Sequence, residues 1–270
     1  MSDLYSLLAA ALRAEQPVAL AEVIEGPDEM LGAKMLVRPG ADPDAVGSLG
    51  DPGLDRVVRR DALGELAVGV TAARHYGLHG EARDRALSVF IESFAPPPVM
   101  IIFGAVDFTA ALAKVAKILG FRVTVCDARP VFATPARFPM ADEVVVDWPD
   151  RHLAKVGDSL GPRDAVCVLT HDPKFDVPAV VSSLATDVGY LGVMGSRRTH
   201  EDRTARLRQA GVDDAGLDRL LSPIGLDIGA RTPEETGVAI CAEIIALRTG
   251  KEAPSLRDRA GPIHYDPAPA

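Results

Sequence analysis

The residues of this chain that could do chemistry sit where apolar runs give way to turns. Gly104 closes one such run and Asp127, followed by Arg129, closes the next. A glycine turn followed roughly 20 residues later by an acid is the spacing of a dinucleotide-binding unit. The glycine lets backbone approach a pyrophosphate, and the acid bonds the ribose diol, favouring NAD over its 2′-phosphorylated form. Here the turn reads Gly104-Ala105-Val106-Asp107-Phe108-Thr109 instead of G-x-G-x-x-G/A. A Cβ at Val106 obstructs close approach, and Asp107 adds negative charge at a helix start that would otherwise suit an anion. NAD(P) is therefore disfavoured by Val106 and Asp107, and no proton donor is evident beside a nicotinamide.

Gly195-Ser196-Arg197-Arg198 is the better anion candidate. Gly195 can admit a ligand to the backbone, Ser196 can cap the following helix, and the arginines offer forked donors to a phosphate. The alternative is a capped helix whose arginines pair with Glu201 and Asp202. Thr170-His171-Asp172 follows another apolar run; His171 can serve as a general base, a ligand or an anchor for its loop. One histidine without a second is not a metal site, and none is expected. In the run from Gly225 to Glu235, Thr232, Pro233 and Glu235 form a capping box. Capping leaves Asp227 and Arg231 unexplained, and they join the candidates.

The elements that must position these groups follow from the apolar pattern. Strand-like runs at 99–103, 123–126, 143–146, 165–169 and 190–193 mostly alternate with helical stretches. That order predicts a doubly wound parallel sheet, Rossmann-like, with the candidates at the carboxyl ends of its strands. Before it, a smaller α/β module is expected: a helix over 2–14, strands over 18–24 and 33–37, a long helix over 54–76 and a strand over 87–94. Pro96-Pro97-Pro98 marks the join. Domains are accordingly expected at 1–95 and 96–250, with 251–270 as a polar, Pro-rich surface tail.

Composition narrows the function. A net charge of −9, with no basic block, argues against a general nucleic-acid binder. No apolar run approaches the ~20 residues of a membrane span and the first residues lack a basic leader, so a cytoplasmic protein is expected. Cys126, Cys167 and Cys241 lie far apart in apolar runs and read as buried, reduced thiols. Cys126, at a strand's end beside Asp127, is the one position where a functional thiol would fit.

The segments ADEVVVDWPD, VLTHDPKFDVPAV, YLGVMGSRRTH and PIGLDIGARTPEE, in this order after the glycine turn, resemble the xanthine dehydrogenase accessory family, XdhC/CoxI. The likeness covers residues 98–250 and extends more loosely into the first module through LGAKMLVRPG and Gly47-Ser48. It implies an accessory factor, more a maturation factor than an enzyme. Such a factor would bind the molybdenum cofactor (molybdopterin), assist its sulfuration and deliver it to a hydroxylase of the xanthine or CO dehydrogenase type. The partners implied are the hydroxylase apoenzyme and a cysteine desulfurase, and a homodimer fits the class. Gly104, Asp127, Arg129, His171, Asp172, Gly195, Ser196, Arg197, Asp227 and Arg231 are the expected cofactor-binding residues. The chain departs from the family pattern at Val106 and Asp107, where the family has glycine and histidine. It departs again at Gly53, where the family pattern carries a cysteine suited to molybdenum or sulfur. An NAD(P) oxidoreductase and a non-catalytic scaffold are the competing readings.

Overall fold

The structure, a computed structural model, describes residues 2–40, 44–81 and 84–258. Its chain divides into two compact units: one runs up to Pro96 and includes the short turn Leu256–Asp258, and the other is Pro97–Ser255. Residues 251–258 are exposed, and 259–270 lie outside the described residues.

The first unit contains α1 (Ser2–Arg13), β1 (Val18–Glu25), β2 (Lys34–Val37), β3 (Ala45–Ser48), α2 (Pro52–Val68), β4 (Ala72–Tyr76) and β5 (Leu87–Phe94). Its strands form an antiparallel sheet in the order β3-β2-β1-β5-β4. Period-two alternation in β1 serves both faces. Ala19, Ala21 and Val23 pack in a core with Leu54, Val58 and Ala62 of α2, while Val18 packs with Ala11 of α1. The long helix expected over 54–76 is corrected: α2 stops at Val68, and Ala72–Tyr76 is a strand. The cause is Gly69, which takes the left-handed conformation (φ 69°) and closes the helix through its N–H on Glu65 and Leu66 carbonyls.

The second unit contains β6 (Val99–Phe103), α3 (Asp107–Ile118), β7 (Arg122–Cys126), β8 (Glu143–Val145), α4 (Pro149–Val156), β9 (Ala165–Val168), α5 (Pro173–Leu184), β10 (Tyr190–Val193), α6 (Arg197–Gln209), α7 (Asp214–Asp218), β11 (Leu220–Leu221) and α8 (Pro233–Thr249). The strand order is β11-β10-β9-β6-β7-β8 and every pairing is parallel. Numbered from the first strand of the unit, that is 3-2-1-4-5-6 read from the opposite edge, the doubly wound Rossmann order. Met100 and Ile102 pack with Leu112 of α3 and Ile240 of α8, whereas Ile101 and Phe103 pack with Leu153 of α4, Val180 of α5 and Leu207 of α6. The sheet is thus covered on both faces. The crossover from β7 to β8 is an exception, for residues 127–142 form successive turns in place of a helix. Pro130, Pro135 and Pro139 in this stretch account for that.

Candidate functional site

In this strand order the chain reverses direction across the sheet between β6 and β9, and ligands of such folds bind outside the carboxyl ends at that crevice. A hollow of about 180 Å³ lies there, lined by Gly104, Cys126, Asp127, Pro149, Thr170 and Phe175 among others. That volume includes open solvent at the mouth; the interior itself admits about one water, far less than the ~300–1,000 Å³ of a drug-sized ligand site, so a ligand here would lie across the mouth and not inside.

The glycine turn is built as a closed structure. Gly104 has φ 109°, and a Cβ there would lie 2.7 Å from Cγ2 of Thr170. Its carbonyl accepts the Thr109 hydroxyl. The next two amides, which a phosphate would need, are taken: Ala105 N–H donates to Asp127 Oδ2 at 2.8 Å and Val106 N–H to Thr109 Oγ1 at 3.3 Å. Asp107 points outward, 93% exposed, with Arg137 Nη2 at 3.9 Å.

Asp127 is correspondingly full. Besides Ala105 it accepts Arg129 N–H and Nε at 2.9 Å and Arg129 Nη2 at 2.8 Å, four donors on a buried carboxylate. A carboxylate offers about four acceptor positions, so none is left for a ribose. Burial opposes its ionisation, but the Arg129 guanidinium and the two amides prevail and hold its pKa below the usual carboxylate range.

Sequence reasoning missed a second set of groups here. The rings of Trp148 and Phe175 lie 4.9 Å apart. The Arg129 guanidinium carbon is 5.8 Å from the Phe175 ring and 4.5 Å from that of Phe132, and the Arg137 guanidinium carbon is 5.7 Å from Phe132. These four contacts make one connected run, Trp148–Phe175–Arg129–Phe132–Arg137, of aromatic rings and guanidinium groups along the rim. The turns of 127–142 supply Arg129, Phe132 and Arg137, a stretch whose side-chain directions no periodicity announces.

A buried ion pair, also missed, lies beneath the loops after β9 and β10. Thr170 donates its hydroxyl to Asp176 Oδ1; Asp176 Oδ2 accepts Arg203 Nη2 at 3.1 Å. Arg203 continues to the Met194 carbonyl at 2.9 Å and to Ser222 Oγ at 3.2 Å. The side chains are 5% and 3% exposed. Burial pushes the Asp176 carboxyl up to about 6, with Arg203 opposing that rise. The available signal was the position of Arg203, four residues before Leu207 on the buried side of a helix otherwise polar.

The remaining candidates are distributed along the same edge. Gly195 has φ 152°, and a Cβ there would meet Thr199 at 3.2 Å. Ser196 caps α6 by accepting Thr199 N–H at 3.2 Å. Arg197 and Arg198 are exposed, and among the described residues neither side chain has a hydrogen bond or ion pair, so the pairing with Glu201 and Asp202 is not made. Asp172 caps α5 through Lys174 N–H at 3.1 Å and faces Lys174 Nζ at 3.2 Å; His171 is exposed. Asp227 and Arg231 lie exposed on the loop between β11 and α8, whose backbone is fixed by Ile224 N–H on the Val193 carbonyl and Gly225 N–H on Glu243. Glu235 accepts the Arg231 and Thr232 amides in the capping box. No hydrogen bond or ion pair among the described residues links Asp227 or Arg231 to the hollow.

All three cysteines are buried and free. Cys126 points its thiol at the Asp147 carbonyl (3.5 Å), and burial, aided by Asp147, pushes its pKa up to about 12. Burial also pushes Cys241 up to about 12 and Cys167 well above its ordinary value. No three His, Cys, Asp or Glu gather as metal ligands among the described residues, and no described helix is long and apolar enough to cross a membrane. In the first unit, Gly53 lies at the start of α2 against the loop after β4: a Cβ there would be 2.7 Å from the His79 carbonyl oxygen and 2.9 Å from Asp51 Oδ1.

Residues 100–244 match the model of the XdhC Rossmann domain, and residues 11–77 match that of the XdhC and CoxI family. The chain belongs to the XdhC/CoxI family. Among its relatives, a probable xanthine dehydrogenase subunit of Bacillus subtilis is 34% identical over 171 residues, 63% of this chain and 49% of that protein. The molybdenum cofactor insertion chaperone PaoD of Escherichia coli is 29% identical over 106 residues, 39% of this chain and 33% of that protein. The chain thus spans half or less of the length of these curated relatives. A solved chain from Bacillus halodurans, described as a xanthine dehydrogenase, has the same fold. It matches at 24% identity with a TM-score of 0.53, over 93% of this chain and 97% of its own.

Proposed function

We propose that this XdhC-family chain is an accessory factor that holds the molybdenum cofactor and passes it to a molybdenum hydroxylase of the xanthine or CO dehydrogenase type. The observation that carries the reading is a division of labour between the two glycine turns. The Gly104 turn has its amides taken by Asp127 and Thr109, which disfavours a dinucleotide. The Gly195 turn leads into a capped helix with Arg197 and Arg198 unpaired. A ligand with a phosphate and a ring fits that division better than one with a pyrophosphate at Gly104. The name of the PaoD relative, a cofactor insertion chaperone, supports the same role.

In this reading Ser196, Arg197 and the Gly195 amide hold the phosphate of the cofactor. Arg198 adds charge, and Asp227 and Arg231 close over the ligand from the loop before α8. His171 and Asp172 border the site. Asp127 acts through Arg129, fixing that guanidinium at the hollow. The bound group brings the molybdenum chemistry that the hydroxylase uses, and this chain turns over nothing itself. Its thiols are buried and protonated, so the sulfur for cofactor sulfuration comes from a cysteine desulfurase partner.

The test is transfer. Protein loaded anaerobically with cofactor is mixed with an apo-hydroxylase, and the appearance of hydroxylase activity is followed. Activity above that given by free cofactor supports the role; equal activity with and without this protein refutes it.

A further inference from the structure

The hollow between Gly104 and Phe175 has almost no hydrogen bonding to offer. Asp127 has its acceptor positions filled, the Thr170 hydroxyl is committed to Asp176, and the Cys126 thiol faces the Asp147 carbonyl. Gly104, Ala128, Pro149 and Phe175 complete the wall with apolar surface. A sugar or a phosphate placed here would lose water without gaining partners, which is unfavourable. The interior admits only about one water, so a ligand lies across its mouth, where the wall offers it apolar surface.

The rim of the hollow selects a flat ligand. Phe132 and Trp148 stand at or near the two ends of the aromatic–guanidinium run, and they are 40% and 38% exposed. Large rings of this kind are normally buried in a core; here Phe132 lies against the Arg129 guanidinium and Trp148 against Phe175, the buried ring next to that cation. That cation is fixed in place: the two-point grip of Asp127 orients the Arg129 guanidinium, and the Phe132 ring lies 4.5 Å from its carbon. A pre-oriented guanidinium, backed by the buried Phe175 and flanked by the exposed Phe132, binds a planar, electron-rich ring by stacking with little ordering cost.

From these contacts we infer that the rim of Trp148, Arg129 and Phe132, backed by the buried Phe175, is a stacking site for one planar nitrogen heteroaromatic ring. The shared chemistry admits two sources, a pterin and an adenine nucleotide. Placing the pterin of the cofactor here rests on the function proposed above. It also sets the direction of the bound molecule, with its ring at β6–β7 and its phosphate toward β10. The β10 end is two strand spacings from β6, roughly 10 Å at ~4.8 Å per spacing.

Trp148 is the chain's single tryptophan, so intrinsic tryptophan fluorescence reports this rim alone. The probes are free pterin, adenosine and ribose 5-phosphate, titrated separately into the full chain and into Phe132→Leu and Arg129→Met. Far-ultraviolet circular dichroism serves as the control for folding. Saturable quenching by pterin is expected, with none by ribose 5-phosphate and about tenfold weaker affinity in both variants, corresponding to ~1.4 kcal/mol. Quenching by neither ring, or quenching that both folded variants retain unchanged, overturns the stacking site. Quenching by adenosine alone keeps the stacking site and contradicts the cofactor reading. Cofactor transfer without any quenching keeps the cofactor reading and contradicts the stacking site. Should Arg129→Met fail to fold, Phe132→Leu decides, since its ring is partly exposed and outside the core clusters.

Discussion

Arg129 grips Asp127 at two points, Nε to Oδ1 at 2.9 Å and Nη2 to Oδ2 at 2.8 Å, across two residues of one loop. The acid that in a dinucleotide-binding unit is available to a ribose is here committed to its own chain. The pair turns a hydroxyl-binding position into a support for a guanidinium, and with it the chemistry of the hollow changes from polar recognition to stacking.

Replacing Arg129 with Ala leaves a carboxylate, 3% exposed, with only two backbone donors. The expected loss is about 1–3 kcal/mol in urea denaturation at pH 7. The pH dependence has a sign. The folded pKa of Asp127 lies below its ordinary value, so the pair's contribution is present above about pH 4 and disappears as pH falls through the lower folded value. In the variant that loss begins at a higher pH.

The buried pair of Asp176 and Arg203 behaves oppositely. Asp176→Ala strands Arg203 among the Met194 carbonyl and Ser222, and about 3–5 kcal/mol of stability is lost; removing both charges with Asp176→Ala and Arg203→Met together costs less. Burial raises the folded pKa of Asp176 to about 6, above its ordinary value. Its contribution is therefore complete below about pH 4 and is lost as pH rises through about 6. Denaturation from pH 7 to 5 should show the wild type gaining stability relative to Asp176→Asn. A constant difference would contradict the assignment.

Position 53 bears on whether the cysteine of the family pattern can be restored. A Cβ would press on the His79 carbonyl oxygen at 2.7 Å, and that atom belongs to backbone. Gly53→Cys, and equally Gly53→Ala, should destabilise the chain by about 1–3 kcal/mol, read from the shift in denaturation midpoint. A neutral Gly53→Ala would show that the loop after β4 yields readily.

The three thiols give a simpler expectation. Because Cys126, Cys167 and Cys241 are buried and held protonated, an aromatic disulfide reagent at pH 8 should titrate none rapidly in the native chain and all three after unfolding. One fast native thiol would reopen the case for sulfur chemistry on Cys126.

What the sequence disclosed depended on whether local pattern or tertiary contact sets a feature. The parallel strands and the capping box at Thr232 follow from short-range periodicity and spacing, and the structure has them. Strand β4 was hidden because Leu63, Leu66 and Val70 continue a helical apolar spacing past Gly69, and only its left-handed backbone ends the helix. The spacing from Gly104 to Asp127 located the crevice, but nothing in it indicates that Arg129 occupies the carboxylate. Phe132, Trp148 and Phe175 are separated by up to 43 residues, and only the fold brings their contacts together. Asp176 and Arg203 carry no distinctive signal of burial, because charged residues on helices are usually solvated.

Whether this chain holds the molybdenum cofactor is decided most directly by an anaerobic titration of the purified protein with that cofactor, with NAD and NADP titrated in parallel. Saturable cofactor binding is expected, with no binding of either dinucleotide. Arg197→Ala should reduce the cofactor affinity by about 1.5–3 kcal/mol, the scale of a hydrogen bond to a charged group. Saturable NAD binding without cofactor binding would contradict the cofactor reading, and would return the chain to the oxidoreductases.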